Sequence, residues 1–259
     1  MSASLSGVRL KLKRAKVHLD ALNARLDDAD RGDLYGLVCE PDPQPGQYVV
    51  KVKKAASDED WPLILGDFLH NLRTALDHLV WQLVKANGET PDRDNAFGIF
   101  LDPTTFDGTA GNKNFKGVHP QARAVIRSAQ PFSPSDKWQT GRLHPLFFLR
   151  ELEVVDKHRL IHTITLSPEG VTLTFREDPD PAQVEMFDLS GRVLEDGTEV
   201  CRLTSDFQPE VEMDSALSTL VFIEKTELTP RLEWGVLDAM RDEVERVVRL
   251  LTPFVVWPP

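Results

Sequence analysis

Apolar residues recur at alternating spacings of three and four in three stretches of the chain, and each stretch predicts a long helix. The first covers residues 4–29, the second runs from Ser57 to Asn87-Gly88, and the third opens at Thr229-Pro230. The second carries one broad apolar face, made of Leu65, Phe68, Leu69, Leu72, Ala75, Leu76, Leu79 and Leu83. The three helices together predict a helical bundle.

Shorter helices are predicted at 119–128 and at about 143–158. The stretch 88–118 between the helices is rich in Gly, Asn, Asp and Thr. It is too long for an ordinary connection, so we expect either a lid or a disordered insert.

Alternating apolar and polar positions predict strands in two regions. A hairpin is expected from 34–40 and 47–54, and after His162 an antiparallel meander is expected, with strands near 162–167, 170–176, 184–189, 198–204 and 218–224. The predicted class is α+β, a bundle of long helices with an attached antiparallel β-meander. We expect a single domain over 1–259, in which the helical part covers about 1–160 plus 229–259 and the strand-rich part about 162–225.

The chain of 259 residues has 41 acidic and 30 basic residues, a formal net charge of −11. Such a surface repels phosphate, so contact with nucleic acid requires a local basic patch. The first helix contains one candidate patch, formed by Arg9, Lys11, Lys13, Arg14 and Lys16. These cations point to phosphate contact, or they are the solvated flank of the apolar seam.

Two cysteines, Cys39 and Cys201, cannot form a disulfide scaffold. The N-terminus lacks the apolar region of a signal peptide, and no apolar stretch reaches roughly 18 residues. We therefore expect a cytoplasmic protein that does not enter the membrane.

The side of the second helix opposite its apolar face is polar but carries no Lys and no Glu. It contains Asp67, His70, Asn71, Thr74, Asp77, His78 and Trp81, with Arg73 at its edge. A solvated helix face usually has many Lys and Glu residues, so this composition favours a cleft or an interface with defined hydrogen bonds. The alternative is a buried, mutually satisfied polar network in the middle of the bundle.

Within this polar side, Arg73-Thr-Ala-Leu-Asp-His78 spells Arg-x4-His. The motif resembles the signature of the HEPN superfamily, helical-bundle proteins that include metal-independent endoribonucleases whose Arg and His face a dimer cleft. The resemblance implies that His78 transfers a proton at the ribose 2′-hydroxyl and that Arg73 stabilises charge on the phosphate. It also implies RNA as a partner, a homodimer, and no cofactor. His70, Asn71 and Asp77 are expected to support this site.

A second titratable cluster, Asp156-Lys-His158-Arg159, lies at the end of a predicted helix. His158 and Arg159 complete the site of the central helix if the two helices are neighbours. Alternatively, the two cations simply favour the negative end of the helix dipole.

A metal-dependent enzyme is a further alternative, because Asp67-x-x-His70 places a carboxylate and an imidazole one turn apart. His70, His78 and His158 are the candidate ligands. The motifs of zinc proteases, serine hydrolases and P-loop nucleotide enzymes are absent. The remaining alternative is a non-catalytic ligand-binding or structural protein that uses the same polar residues.

Overall fold

The computed structural model describes residues 2–28, 35–54, 60–134, 137, 141–158, 163–176, 180–189, 195–206, 208–222, 232–233 and 235–256. The chain divides into two compact units. The helical unit comprises Met1–Asp20, Leu63–His162 and Gly235–Pro259, and the sheet unit comprises Ala21–Pro62 and Thr163–Trp234. Whether the two units act as one domain, as the sequence predicts, stays a prediction.

Seven α-helices lie within the described residues. They are α1 (Ser6–Asp28), α2 (Trp61–Ala86), α3 (Pro103–Asp107), α4 (Thr109–Asn114), α5 (Pro120–Ser128), α6 (Pro145–His158) and α7 (Gly235–Val256). The three long helices, α1, α2 and α7, are those predicted from the apolar seams. None of the described helices is both long enough and apolar enough to cross a membrane.

Seven strands lie within the described residues, in two antiparallel sheets. They are β1 (Tyr35–Pro41), β2 (Gln47–Lys54), β3 (Thr163–Phe175), β4 (Val184–Met186), β5 (Glu199–Thr204), β6 (Val211–Phe222) and β7 (Leu232–Glu233). One sheet has the order β1-β2-β5-β4 and the other the order β3-β6-β7. The α+β class is confirmed, and the predicted hairpin is β1–β2. The later strands are divided between the two sheets, with β4 and β5 joining the hairpin.

Two sequence predictions about local structure are wrong. The break predicted between the strands near 162–167 and 170–176 is an irregularity inside one long strand, β3, because the pairing with β6 continues on both sides of it. The last helix begins at Gly235, whereas its predicted start at Thr229-Pro230 lies outside the described residues. Between the two positions, Leu232 and Glu233 pair with β6, which delays the helix.

The core of the helical unit is built from the predicted apolar faces. All eight apolar positions predicted on α2 are buried, from Leu65 to Leu83. Leu5, just before α1, is buried as well, and so are Val8, Ala15 and Leu19 on α1. The α7 seam contributes Leu237, Met240, Val244, Val247 and Leu251. Burial of these side chains is the main driving force for the packing of the helices.

The segment 88–118 is ordered, so the prediction of a disordered insert is wrong, while the lid stays a prediction. It contains α3 and α4, and it buries Phe97, Phe100, Phe106 and Phe115 in one aromatic cluster. The buried Asn95 side chain donates to the carbonyls at 114 and 116, at 3.2 and 2.9 Å, and so closes the segment on itself. Although the segment is polar in composition, four of its aromatic side chains lie in the core. They bury enough apolar surface to order the loop.

Candidate functional site

The central helix α2 uses Arg73 and Asp77 to hold one residue of the 88–118 segment. Arg73 Nη1 donates to the Phe97 carbonyl at 2.5 Å, and the Phe97 N–H donates to Asp77 Oδ1 at 2.8 Å. Arg73 Nη2 lies 3.5 Å from Asp77 Oδ1. Both charged groups are half-buried and engaged with a neighbouring main chain and with each other.

His78 leaves α2 in a different direction from Arg73. Residues five positions apart on a helix are rotated by about 140° and separated by about 7.5 Å along the axis. His78 is exposed, and its Nδ1 lies 3.3 Å from the point where a Cβ on Gly7 of α1 would stand. The structure thus places the two residues of the Arg-x4-His motif against different neighbours, Phe97 and Gly7.

The supporting residues of the motif are also distributed around α2. His70 is exposed, and its Nε2 lies 3.3 Å from Thr74 Oγ1. Asn71 is buried, and its Nδ2 donates to the carbonyl of Asp67 at 2.7 Å, a bond within the helix. His70 and Thr74 are therefore open to solvent, whereas Asn71 is a structural residue.

The N-terminal part of α1 runs antiparallel to α2. The Ser4 N–H donates to Gln82 Oε1 at 2.9 Å, Gly7 meets His78, and His18 Nε2 lies 4.0 Å from Asp67 Oδ2. Rising numbers on α1 therefore match falling numbers on α2. Burial lowers the pKa of His18, and Arg14 lowers it further, while Asp67 acts in the opposite sense.

Helical spacing places cations and imidazoles along the line where the two helices meet. On α1, Lys11 and Arg14 fall between the contact residues Gly7 and His18 at steps of four, three and four. On α2, His70 and Thr74 fall between Asp67 and His78 in the same way. We call Lys11, Lys13 and Arg14 of α1 together with His70, Thr74, His78 and Trp81 of α2 the α1–α2 face.

The cations of this face have no acidic partner within the described residues. Lys11, Lys13 and Arg14 make no ion pair there, whereas Lys16 pairs with Asp20 at 2.7 Å. Counting from the N-terminus, Asp20 is the first acidic residue of the chain. The basic patch therefore persists as a local positive field on a chain with a net charge of −11.

Large apolar side chains are exposed next to these cations. Leu10 and Val17, on the side of α1 that carries Lys13 and Arg14, are 67% and 47% exposed. On α2, Trp81 is 40% exposed and lies seven residues, or two turns, after Thr74. An exposed indole on the same face as cations without an ion pair among the described residues is an arrangement suited to an extended ligand that carries both phosphates and flat rings.

The second predicted cluster, Asp156-Lys-His158-Arg159, lies at the end of α6. His158 is the last residue of α6, its side chain lies outside the described residues, and so does Arg159. The prediction that they complete a site with α2 stays untested.

A shared metal ion for His70 and His78 conflicts with helix geometry. Eight residues on one helix span about 12 Å, whereas imidazole nitrogens bind zinc at about 2 Å. Among the described residues, no group of three or more His, Cys, Asp or Glu side chains could hold a metal ion. The His158 side chain lies outside the described residues.

One buried polar cluster was missed by the sequence analysis. Glu243 of α7 is fully buried, and its carboxylate accepts hydrogen bonds from Arg246 Nε and Nη2 at 2.7 and 2.6 Å. His144 Nε2 lies 3.9 Å from Glu243 Oε1, and its Nδ1 accepts the N–H of Leu146 at the start of α6. The sequence contained a signal for this cluster: Glu243 lies inside an apolar seam, next to Val244 and three residues after Met240.

No protein-family model, curated protein or solved structure matches this chain. The geometry of its own residues is therefore the basis for the functional proposal.

Proposed function

We propose that this protein binds single-stranded RNA through the α1–α2 face and does not cleave it. The observation that carries the proposal is the set of three cations, Lys11, Lys13 and Arg14, that make no ion pair within the described residues of a chain that is otherwise acidic. Cations that have no internal partner are available to phosphates, and phosphate contacts supply most of the affinity of non-specific RNA binding.

The other residues of the face suit a single strand. Exposed Trp81 offers a surface on which an unpaired base can stack, and a duplex would not present such a base. His70, Thr74 and His78 add donors and acceptors along the same line. The cytoplasmic location predicted from the sequence belongs to the same proposal.

Binding is favoured over the HEPN-like cleavage expected from the motif because of what holds Arg73. The guanidinium already donates to the Phe97 carbonyl and lies against Asp77, so its position and its charge are partly committed within the protein and less available to a phosphate. His78 without the arginine is only half of the predicted catalytic pair.

The homodimer stays a prediction. Self-association through the α1–α2 face would bring Lys13 and Arg14 of two copies together, and like charges in an interface cost free energy. A dimer would therefore use another surface. Light scattering during gel filtration, with and without RNA, measures the mass directly.

The proposal is tested by fluorescence anisotropy with a labelled uridine oligonucleotide of about 16 nucleotides, the upper end of single-strand site sizes. We expect the logarithm of the affinity to fall with the logarithm of the salt concentration with a slope of about two, for three neutralised phosphates. Lys13→Gln/Arg14→Gln should weaken binding and reduce this slope. The Trp81→Ala variant should weaken binding at least about fivefold, and Trp81→Phe much less.

The matched control is Lys113→Gln/Lys116→Gln. It removes the same charge, but these lysines pair with Asp94 and Asp92 at 3.1 and 3.6 Å. Equal weakening by the two double variants would contradict a local face. Equal affinity for a thymidine oligonucleotide would change the ligand from RNA to single-stranded nucleic acid in general.

The same samples decide between binding and cleavage. We expect the RNA to stay intact in EDTA on a denaturing gel. Cleavage that persists in EDTA and disappears in both Arg73→Ala and His78→Ala would show that the nuclease prediction is right and that our proposal of non-catalytic binding is wrong.

A further inference from the structure

The strand β1 forms one edge of its sheet in the sheet unit, and β6 of the other sheet lies near part of it. The N–H of Val52 on β2 donates to the Thr198 carbonyl at 2.8 Å, and the Val52 carbonyl accepts the N–H of Gly197 at 2.8 Å. The main-chain polar groups of Val52 therefore point away from β1. Leu37 lies opposite Val52 in the register. In an antiparallel pair of this type, the main-chain groups of Leu37 must point away from β2 as well, toward the outer edge.

Cys39 repeats this orientation two residues further along β1. Its carbonyl accepts Gln208 Nε2 at 2.8 Å on the outer side of the strand. Within the described part of the chain, no residue bonds to the Leu37 N–H, the Leu37 carbonyl or the Cys39 N–H. The edge therefore offers two donors and one acceptor at strand spacing.

A cavity of about 610 Å³ lies along this edge. Leu37, Val38 and Cys39 line one side, and Thr174 and Pro209 line another. Its volume is typical of ligand sites, which range from about 300 to 1,000 Å³. Arg176 and Glu210, both exposed and paired at 2.6 Å, also border it and together carry no net charge.

We propose that this cavity is a binding site for an extended peptide, which pairs with β1 as an additional strand. The open groups are those that a neighbouring strand would use, and the side-chain amide of Gln208 already occupies the position of one peptide group of such a strand. The lining by Leu37, Val38 and Pro209 favours apolar or β-branched side chains on the peptide.

A second copy of the chain is a less suitable occupant. Unpaired strand edges do associate with each other in general. Here, however, Gln208 and Pro209 stand beside the edge and belong to the cavity wall. A folded sheet that approaches edge-on meets the whole of this wall, whereas a single extended chain has only to replace or pass the side-chain amide of Gln208.

The probe for the experiment is the peptide acetyl-Thr-Val-Thr-Val-Thr-amide, added to the full-length, ¹⁵N-labelled chain. We expect saturable shifts of the Leu37 and Cys39 amide resonances and slower hydrogen exchange at both, because the two N–H groups gain acceptors. A peptide N-methylated at alternate residues loses the donors that face the edge, and it should not produce these changes. If neither amide responds to the unmodified peptide, the proposal is wrong.

The protein-side test compares Leu37→Pro with Leu37→Ala. Both lose the leucine side chain, but only proline removes the N–H, and proline is tolerated where an edge N–H faces outward. We expect peptide affinity to be about threefold to tenfold lower in Leu37→Pro than in Leu37→Ala, as for one lost hydrogen bond. Equal affinities would overturn the strand-pairing geometry.

Two further outcomes are informative. A concentration-dependent dimer that is abolished by Leu37→Pro would replace the peptide with a second copy as the occupant. RNA affinity, measured on the same variants, should not change, because the α1–α2 face belongs to the helical unit. Loss of peptide binding and loss of RNA binding are thus separate results.

Discussion

Arg73 and Asp77 lie one turn apart on α2 and hold the carbonyl and the N–H of the same residue, Phe97. The Phe97 ring is fully buried and meets the Phe115 ring edge-on, with 6.3 Å between the centroids. The pair therefore fastens the 88–118 segment to the central helix by its main chain, while the aromatic cluster fastens it by its side chains.

The first prediction concerns the stabilising role of this pair. Arg73→Met keeps the aliphatic stem but leaves the Phe97 carbonyl without its donor and Asp77 without its cation. We expect the free energy of unfolding to fall by about 1.5–3 kcal/mol, the range for a hydrogen bond to a charged group. Urea denaturation followed by circular dichroism measures the change, and RNA affinity should stay as in the parent protein.

Arg93→Met is the matched control, because Arg93 is exposed and has no described contact. It should change stability by no more than about 0.5 kcal/mol. An Arg73→Met variant with parent stability but reduced RNA affinity would contradict the structural role and would favour the phosphate clamp implied by the HEPN resemblance.

The sequence predicted the helices and their apolar faces well for a physical reason. Burial on α2 depends on a periodicity of 3.6, which can be read locally, and each of the eight predicted core positions proved to be buried. The meander was harder to predict. Pairing of β5 with β2 joins positions about 150 residues apart, as in the Val50–Cys201 match, and local alternation carries no information about that choice.

The candidate site was only partly predictable for the same reason. The composition of α2 correctly indicated a helix side with defined hydrogen bonds, such as those of Arg73 and Asp77. It could not show that their partner is Phe97, twenty residues further along the chain, nor that His78 would face Gly7. A motif identifies which residues share a helix. Which residues of other segments they contact depends on tertiary packing.

The second prediction concerns Gly111 of α4. A Cβ added there would stand 1.8 Å from the Phe106 carbonyl oxygen, a main-chain atom that cannot move aside cheaply. We expect Gly111→Ala to destabilise the protein by at least about 1–3 kcal/mol, the usual cost of overpacking. Gly235→Ala is the control, since no atom lies within 4 Å of its added Cβ. Similar melting temperatures for the two variants would show that the packing of α4 on α3 is looser than described.

The third prediction concerns the two thiols. Cys39 and Cys201 both lie opposite Val50, on the strands that flank β2, so about two strand spacings of roughly 4.8 Å separate them. Disulfides need Cα atoms within about 7 Å, so we expect no intramolecular bond in oxidised glutathione. Burial raises the pKa of both thiols, that of Cys201 to about 11.

Alkylation measures this difference in accessibility. Because the thiolate is the reactive form, at pH 8 the half-buried Cys39 should react slowly with iodoacetamide, and Cys201 should react only after urea is added. Mass spectrometry of peptides identifies the modified residue. Rapid alkylation of Cys201 in the native protein would mean that the sheet opens at β5.

The fourth prediction is a loss of stability on acidification that depends on His144. Burial lowers the pKa of His144, and Arg246 lowers it further, while Glu243 opposes them. In the unfolded chain the imidazole regains its ordinary pKa of about 6.5, so below that pH the unfolded state binds more protons than the folded state. The free energy of unfolding should therefore fall as the pH drops from about 7 through 6.5, and continue to fall until the folded pKa is passed.

His144→Asn separates this contribution from that of the other titrating groups. Asparagine still offers an acceptor to the Leu146 N–H at the start of α6, but it does not titrate. We expect urea denaturation between about pH 7 and 5 to show a shallower loss of stability in His144→Asn than in His70→Asn, which removes an exposed imidazole. Equal slopes in the two variants would mean that His144 is protonated as readily in the folded protein as in the unfolded chain, and that the buried cluster with Glu243 tolerates the charge.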